Sequence, residues 1–382
     1  MNVTDSIFYV GVNDHTLDLF ESQYPVPNGM AYNSYIIIGE KIAVIDSVET
    51  HFLQEWLNKI HTALNGRTPD YLVVQHMEPD HSANIDNFME IYPTAKIVSS
   101  AKAFMMMQSY FGTNYPDRQI IVGDGDSLPL GNRTLRFFAA PMVHWPEVIV
   151  THDDQDNVLF TADAFGKFGT LDTAEPWDDE ARRYYVGIVG KYGIQTQKLL
   201  QTITKLNIEK ICSLHGPVLS KNLPHYLNLY DIWSSYRPET NGVTIAYTSV
   251  YGNTKQAVDL LAEKLRAVDI PVAVHDLAHG DMFAAVSDAF RYSKLVLAST
   301  TYNADVFPFM RTFINHLTER SFQKRTVALI ENGSWAPNAA KIMRNMLEKS
   351  KELSFTDSTL TIRSALSEEN FAQLDTLVQE LR

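Results

Sequence analysis

The sequence predicts two domains, an α+β sandwich over residues 1–238 followed by a doubly wound parallel α/β sheet over residues 243–382. Three observations predict this. A chain of 382 residues exceeds what one core usually serves. Its first part is a series of β-rich runs broken by turns, whereas from Val243 apolar strands alternate regularly with amphipathic helices. Between the two lies S-Y-R-P-E-T-N-G (235–242), a polar stretch with Pro238 and Gly242 that reads as a linker, so the boundary is expected near residue 240.

Composition narrows the function classes. A hydrophobic content of 45% and a charged content of 20% are ordinary for a globular protein and supply material for two cores. The formal net charge of −13 argues against nucleic acid as a partner, because phosphate binding needs a basic surface. No apolar run reaches the roughly 18 residues of a membrane span, and M-N-V-T-D-S-I-F-Y-V lacks a basic, apolar signal, so a cytoplasmic protein without membrane contact is expected. The single cysteine, Cys212, excludes an internal disulfide and a thiolate zinc cluster. It falls on an expected strand, where a free thiol behaves as a small apolar group.

In the first domain, S-I-F-Y-V-G-V, Y-N-S-Y-I-I-I-G and K-I-A-V-I-D-S read as strands, the last two joined by a hairpin at Gly39 and Glu40. A helix is expected over 52–64, a strand over 71–74, a strand over 95–99 and a helix over 101–111, whose methionines at 105–107 are expected in the core or under the helix. Residues 120–150 read as a β meander with turns at 123–125 and 131–132.

The strand over 71–74 ends abruptly in His76, Glu78, Asp80 and His81. Extended backbone sends alternate side chains to one side, so His76, Glu78 and Asp80 can converge beyond the strand end. Pro79 disfavours helix at Glu78, and Asp80 is expected to cap a helix beginning near His81. That arrangement suits two adjacent metals better than one; a polar turn with histidines bonded to backbone is the competing reading. The same pattern of β-run, ligand-type residue and turn recurs at His144, Asp163 and His215. Strand ends of a sandwich gather at one edge, which favours one shared site.

In the second domain the loops after the strands carry the chemistry, because doubly wound sheets bind ligands beyond the carboxyl ends of their strands. Thr248, Ser249, Val250, Tyr251, Gly252, Asn253 and Thr254 open a helix with hydroxyls and free amides, suited to a phosphate monoester and lacking the lysine of a nucleoside triphosphate loop. Thr301, Tyr302, Asn303 and Ala304 form a second such loop, and Asn332, Gly333, Ser334 and Trp335 a third. Tyr302 and Trp335 are placed to flank a planar ring; packing of loop against loop is the alternative.

With these residues in view, the sequence resembles the flavodiiron proteins, also called A-type flavoproteins. The motif H-x-E-x-D-H stands as His76 to His81, the later ligand positions match His144, Asp163 and His215, and the phosphate loop matches 248–254. The resemblance implies a metallo-β-lactamase-like αββα sandwich followed by a flavodoxin-like doubly wound sheet, with FMN and two iron ions as cofactors. It implies that one iron takes His76, Glu78 and His144 and the other Asp80 and His215, that Asp163 bridges them, and that His81 ligates or stands just outside. Glu78 replaces the histidine of zinc hydrolases of this fold, and oxygen ligands mixed with imidazole suit iron. After His144 the chain reads W-P-E-V, where relatives often carry Asp-Ser-Met following the proline. Tyr192 matches a region where some relatives place a tyrosine near the metals.

The activity implied is reduction of dioxygen to water, nitric oxide to nitrous oxide, or both; a metal-dependent hydrolase with an accessory flavodoxin domain is the alternative. No Cys-x-x-Cys pair follows residue 382, so the electron donor is expected to be separate, rubredoxin or reduced deazaflavin. A head-to-tail homodimer or tetramer is implied, bringing the flavin of one chain to the irons of another.

Overall fold

Two sheets lie face to face in the first unit, Met1–Asp231, of the computed structural model, which describes residues 2–382. One sheet runs Ile7–Tyr9, Tyr35–Ile38, Ile42–Ile45, Tyr71–Val73, Lys96–Ser99 and Gln119–Ile121; the other runs Ser127–Pro129, Thr134–Ala139, Ile149–Asp153, Val158–Phe160 and Lys210–Cys212. Their apolar faces form one core, with Ile37, Ile45, Val73 and Val98 meeting Leu135, Phe137, Ile149, Phe160 and Cys212. These β-branched and aromatic residues suit a pleated surface buried on one side. Helix Leu53–Leu64 buries Trp56, Ile60 and Leu64, and the Trp56 indole donates to Ser34 Oγ at 2.9 Å.

Three expectations for this unit are corrected. Residues 120–150 are not one meander: Gln119–Ile121 pairs parallel with Lys96–Ser99 in the first sheet, and the antiparallel run begins only at Ser127. The turn at 123–125, where Gly123 N–H donates to Asp126 Oδ2, carries the chain from one sheet to the other. Of the methionines in helix Ala101–Phe111, Met107 is buried but Met105 is 71% exposed, because three consecutive helical residues cannot share a face. Asp80 does not cap a helix; the short helix is Pro79–Ser82 with Glu78 at its N-cap.

The second unit, Ile232–Arg382, holds a parallel sheet in the order Val272–Asp276, Thr240–Tyr247, Tyr292–Tyr302, Thr326–Asn332, Ser354–Ile362. The first strand in sequence is second in space, so the order reverses beside it and opens a crevice at the carboxyl ends of Thr240–Tyr247 and Tyr292–Tyr302. Helices Asn253–Arg266 and Glu368–Glu380 cover one core through Val258, Leu261, Leu265, Leu374 and Leu377. The first strand starts at Thr240, inside the stretch read as linker, with irregular register between Thr240 and Val243. Among the described residues no helix is long and apolar enough to cross a membrane.

Candidate metal and cofactor sites

The ligand-type residues of the first unit arrive on loops tied to one another. Asp46, just past strand Ile42–Ile45, accepts from the backbone N–H groups of Gln75 and His76 at 2.7 and 3.3 Å, which fixes the exit from strand Tyr71–Val73. Ser47 donates through Oγ to the His81 carbonyl at 2.7 Å and so docks the short helix beside the same exit. Strands Val158–Phe160 and Lys210–Cys212 are parallel neighbours, and Leu214 N–H donates to the Ala162 carbonyl at 2.8 Å, so the loops bearing Asp163 and His215 run together. Ala162 and Phe165 hold left-handed φ of 49° and 67°, the kind of backbone strain that collects at functional sites.

The seven expected residues meet in two groups. His76, Glu78, His144 and Asp163 form one; Asp80, His81 and His215 form the other. Asp163, a member of the first group, also faces the second. Its Oδ2 lies 3.0 Å from His144 Nε2 and 3.5 Å from His76 Nε2, while its Oδ1 lies 3.3 Å from His81 Nε2 and 3.8 Å from His215 Nε2. Glu78 Oε2 stands 3.0 Å from His144 Nε2 and 3.2 Å from His76 Nε2, and Asp80 Oδ2 stands 3.2 Å from His81 Nε2. His81 points its Nε2 into the second group.

The outer nitrogens are fixed too. His76 Nδ1 meets Glu147 Oε1 at 2.9 Å, and His215 Nδ1 meets the Ala31 carbonyl at 2.8 Å. An imidazole bonded to an acceptor through Nδ1–H presents a bare Nε2 lone pair, the form that binds a metal. Yet His81 Nε2 and His215 Nε2 face each other at 3.0 Å. Both Asp80 oxygens and Asp163 Oδ1 are buried without a hydrogen bond. Lone pairs converging in this way, with buried acceptors left over, fit a cation between them.

Protonation in the metal-free cluster reflects the same crowding. Burial pushes the Asp80 carboxyl up to about 8, aided by the Glu78 and Asp163 charges. Burial opposes charge on His144, but Asp163 and Glu78 bonded to it hold the imidazole up at about 9. His215 is driven down to about 3 by burial and then by the neighbouring His81. Asp163 stays ionised well below the usual carboxylate range because His76, His144 and His81 outweigh its burial.

Three residues outside the expected set reach the cluster. Buried Glu147 takes both His76 Nδ1 and Met77 N–H on one oxygen, each at 2.9 Å. Its only sign in sequence is an acid that interrupts the apolar run after His144. Tyr184, fully buried, packs its ring 5.3 Å from that of His215 and feels the Asp163 charge on a phenol already raised by burial. Tyr192 instead precedes helix Gly193–Ile203 and accepts from Thr196 Oγ1 through its carbonyl. Glu21 is the third, through charge: burial first and the Glu78 charge second push its carboxyl up to about 7, while His144 opposes the rise. Aromatic edges wall the cluster, with Phe20 against His215 at 5.6 Å and Trp145 against His76 at 5.2 Å.

In the second unit the loop after strand Thr240–Tyr247 leads into helix Asn253–Arg266 through Gly252 at φ 93°. Ser249 Oγ accepts from the N–H groups of Gly252 and Lys255, curling the loop, and Thr248 Oγ1 meets Ser299 Oγ at 3.1 Å. Thr254 Oγ1 is buried without a partner at the head of that helix, where it fits a phosphate oxygen. Lys255 Nζ donates to Asp259 Oδ2 along the same helix. Asn303 and Ala304 take left-handed φ in the turn between Tyr292–Tyr302 and Asp305–Val306. Val250 is 44% exposed, Tyr251 93%, Tyr302 46% and Trp335 88%, an apolar surface left open around the switch-point loops. Thr301 is engaged structurally: its Oγ1 accepts from Asn338 and Ala339 N–H at the start of helix Ala339–Met346. Asn332 and Ser334 are bound to Ser364, and a side chain on Gly333 would collide with Pro337.

Comparisons with known proteins bear on the domains and the fold. Residues 30–216 match the family model described as ODP family beta lactamase, and residues 244–370 match the flavodoxin domain. Over 361 residues the chain is 27% identical to a nitric oxide reductase of Moorella thermoacetica, covering 91% of this chain and 90% of that protein. Rubredoxin oxygen:oxidoreductase from Desulfovibrio gigas superposes with a TM-score of 0.92 at 24% identity, covering 100% of this chain and 97% of that one. The flavodiiron protein of Giardia intestinalis gives 0.91 at 24% identity, over 99% and 96%. Fold and site thus define a metallo-β-lactamase-like domain joined to a flavodoxin domain. In fold the chain is similar to solved flavodiiron proteins, and it joins an ODP-type beta-lactamase domain to a flavodoxin domain.

Proposed function

We propose that this chain is an oxidoreductase that reduces dioxygen to water, nitric oxide to nitrous oxide, or both. The observation that carries the reading is Asp163, whose two oxygens face two separate groups of ligand-type residues. His76, Glu78 and His144 would hold one iron and Asp80, His81 and His215 the other, with Asp163 facing both groups. When bound, the irons and FMN supply electrons, two from the ferrous pair and two from reduced flavin, enough for the four that dioxygen needs.

The chain's own residues set the conditions for that chemistry. Glu147 and the Ala31 carbonyl orient His76 and His215. Phe20, Trp145 and Tyr184 keep bulk water from the cluster, and the Tyr184 phenol keeps its proton beside Asp163. The 248–254 loop and the amide end of helix Asn253–Arg266 would take the FMN phosphate, and Tyr302, Asn303, Ala304 and the 332–335 loop would line the ring.

A separate carrier, rubredoxin or reduced deazaflavin, delivers electrons, and the working assembly is a head-to-tail homodimer or tetramer in the cytoplasm; the D. gigas and M. thermoacetica proteins support the donor and the gas by name. The test is an anaerobic assay of dioxygen and nitric oxide consumption by iron-loaded protein with each donor, run beside Glu78→Ala. Gas reduction lost in the variant with FMN retained supports the reading. Zinc in place of iron with ester hydrolysis, or turnover unchanged by Glu78→Ala, overturns it.

A further inference from the structure

Asn33 is fully buried and lies outside the seven residues assigned above. The run Y-N-S-Y-I-I-I-G, read from sequence as one strand, is interrupted at Asn33, between strands Met30–Tyr32 and Tyr35–Ile38. Freed from a strand ladder, Asn33 turns its polar groups to the loop that carries His215. Its backbone N–H donates to the Leu214 carbonyl at 2.8 Å. Its side-chain Nδ2 donates to the Ser213 carbonyl at 2.9 Å and to the Gly216 carbonyl at 2.7 Å. One residue thus holds backbone carbonyls on both sides of His215. Two positions earlier, the Ala31 carbonyl meets His215 Nδ1 at 2.8 Å.

The loop is closed against other neighbours too. Gly216 takes φ 79°, and a side chain there would stand 2.7 Å from Lys167 Cγ, so the backbone packs directly on the Lys167 stem. Lys167 is itself buried and paired with Glu175 at 3.3 Å. Asn33 Oδ1, by contrast, is buried without a hydrogen bond. Turning the amide over would aim that oxygen at two carbonyl oxygens, so its orientation is fixed. An orphaned buried acceptor costs stability, and the same amide gives the ligand loop two donors.

We propose that Asn33 is a positioning residue for the second metal ion: by fixing the carbonyls that flank His215, it aims Nε2 of that ring at the group formed with Asp80 and His81. This inference rests on the metal-centre reading above and deepens it. The ring has two anchors, the Ala31 carbonyl on Nδ1 and the Asn33 amide on the backbone that bears it. Without the second anchor the 213–216 backbone shifts while Nδ1 keeps its acceptor, and Nε2 swings off the ion. The other ion is spared, because Asp46 and Glu147 fix His76 independently.

The test uses the full chain loaded with cobalt(II), in wild type, Asn33→Asp, Asn33→Ser, His215→Ala and Ile60→Val, with release to a chelator followed step by step. His215→Ala removes the ligand and so identifies the release step of the second ion. Asn33→Asp keeps the shape but sets an acid against two carbonyl oxygens; Asn33→Ser lacks the reach and decides the matter if the acid variant does not fold. Each Asn33 variant that folds is expected to release the second ion about 10-fold more readily, the lower end of what losing an outer partner of a metal ligand costs, with the other step unchanged. Ile60→Val, a core deletion in helix Leu53–Leu64, is expected to lower the melting temperature and leave both steps as in wild type. Asn33→Ser changing both steps equally, or neither, overturns the inference alone, as does Ile60→Val shifting the second step to the same extent. Wild type that binds fewer than two cobalt ions per chain overturns the metal-centre reading and this inference with it.

Discussion

Glu147→Gln isolates how much of the metal site is made by a residue that touches no metal. One Glu147 oxygen accepts from both His76 Nδ1 and Met77 N–H at 2.9 Å, so it fixes the ring's rotation and its tautomer together. The other oxygen is buried without a partner. An amide can keep one oxygen on these two donors, but it loses the charge and puts its NH₂ where a buried oxygen had no partner. A hydrogen bond to a charged group contributes about 1.5–3 kcal/mol to stability. Lost from the metal-bound state, that corresponds to roughly 10- to 150-fold weaker binding. The loss should fall on the ion held by His76, Glu78 and His144 and leave the other ion and FMN in place. Stepwise chelator competition, with iron and flavin measured per chain, reads it directly. Equal loss of both ions, or no loss, would show that Glu147 does not act through His76.

Tyr184→Phe should keep both metals and FMN yet lower gas turnover by about 100-fold, the smaller end of what a positioned proton donor contributes; steady-state rates at matched metal content check it. Metal binding should weaken as pH falls, because Asp80 is held protonated up to about 8 and His144 up to about 9 in the metal-free cluster, and both must release protons to ligate. The same two shifts make metal-free protein lose stability as pH rises. Each group's folded pKa exceeds its unfolded value, so the folded state binds more protons across the window from about 4 to 9. Thermal melts of chelator-treated and loaded protein should therefore diverge with rising pH; parallel curves would contradict this. Thr254→Val should weaken FMN binding about 10-fold, the loss of one hydrogen bond to a charged phosphate, without changing metal content, as flavin fluorescence titration will show.

What could be read from sequence followed local rules, and what could not depended on distant partners. Tyr71–Val73, Val158–Phe160 and Lys210–Cys212 are short apolar runs that stop at ligand-type residues, so the strand ends bearing His76, Asp163 and His215 were legible. Alternating apolar strands and helices likewise announced the parallel sheet and its loops. Glu147 and Tyr184 were not legible as site residues, since each acts on a ligand 21 or more positions away in sequence. The switch of Gln119–Ile121 into the first sheet was hidden because an isolated three-residue strand carries no mark of its partner. Tyr192 was expected near the metals from resemblance alone, and the ring against His215 belongs to Tyr184, which ends helix Trp177–Tyr184.

The central claim is that Asp163 stands between two metal ions, each with its own protein ligands. Anomalous diffraction at the iron edge from iron-loaded crystals tests it most directly. Two peaks about 3.5–4 Å apart are expected, one beside His76, Glu78 and His144 and one beside Asp80, His81 and His215, with a different Asp163 oxygen on each. A single peak, or two peaks on the same side of Asp163, would contradict it.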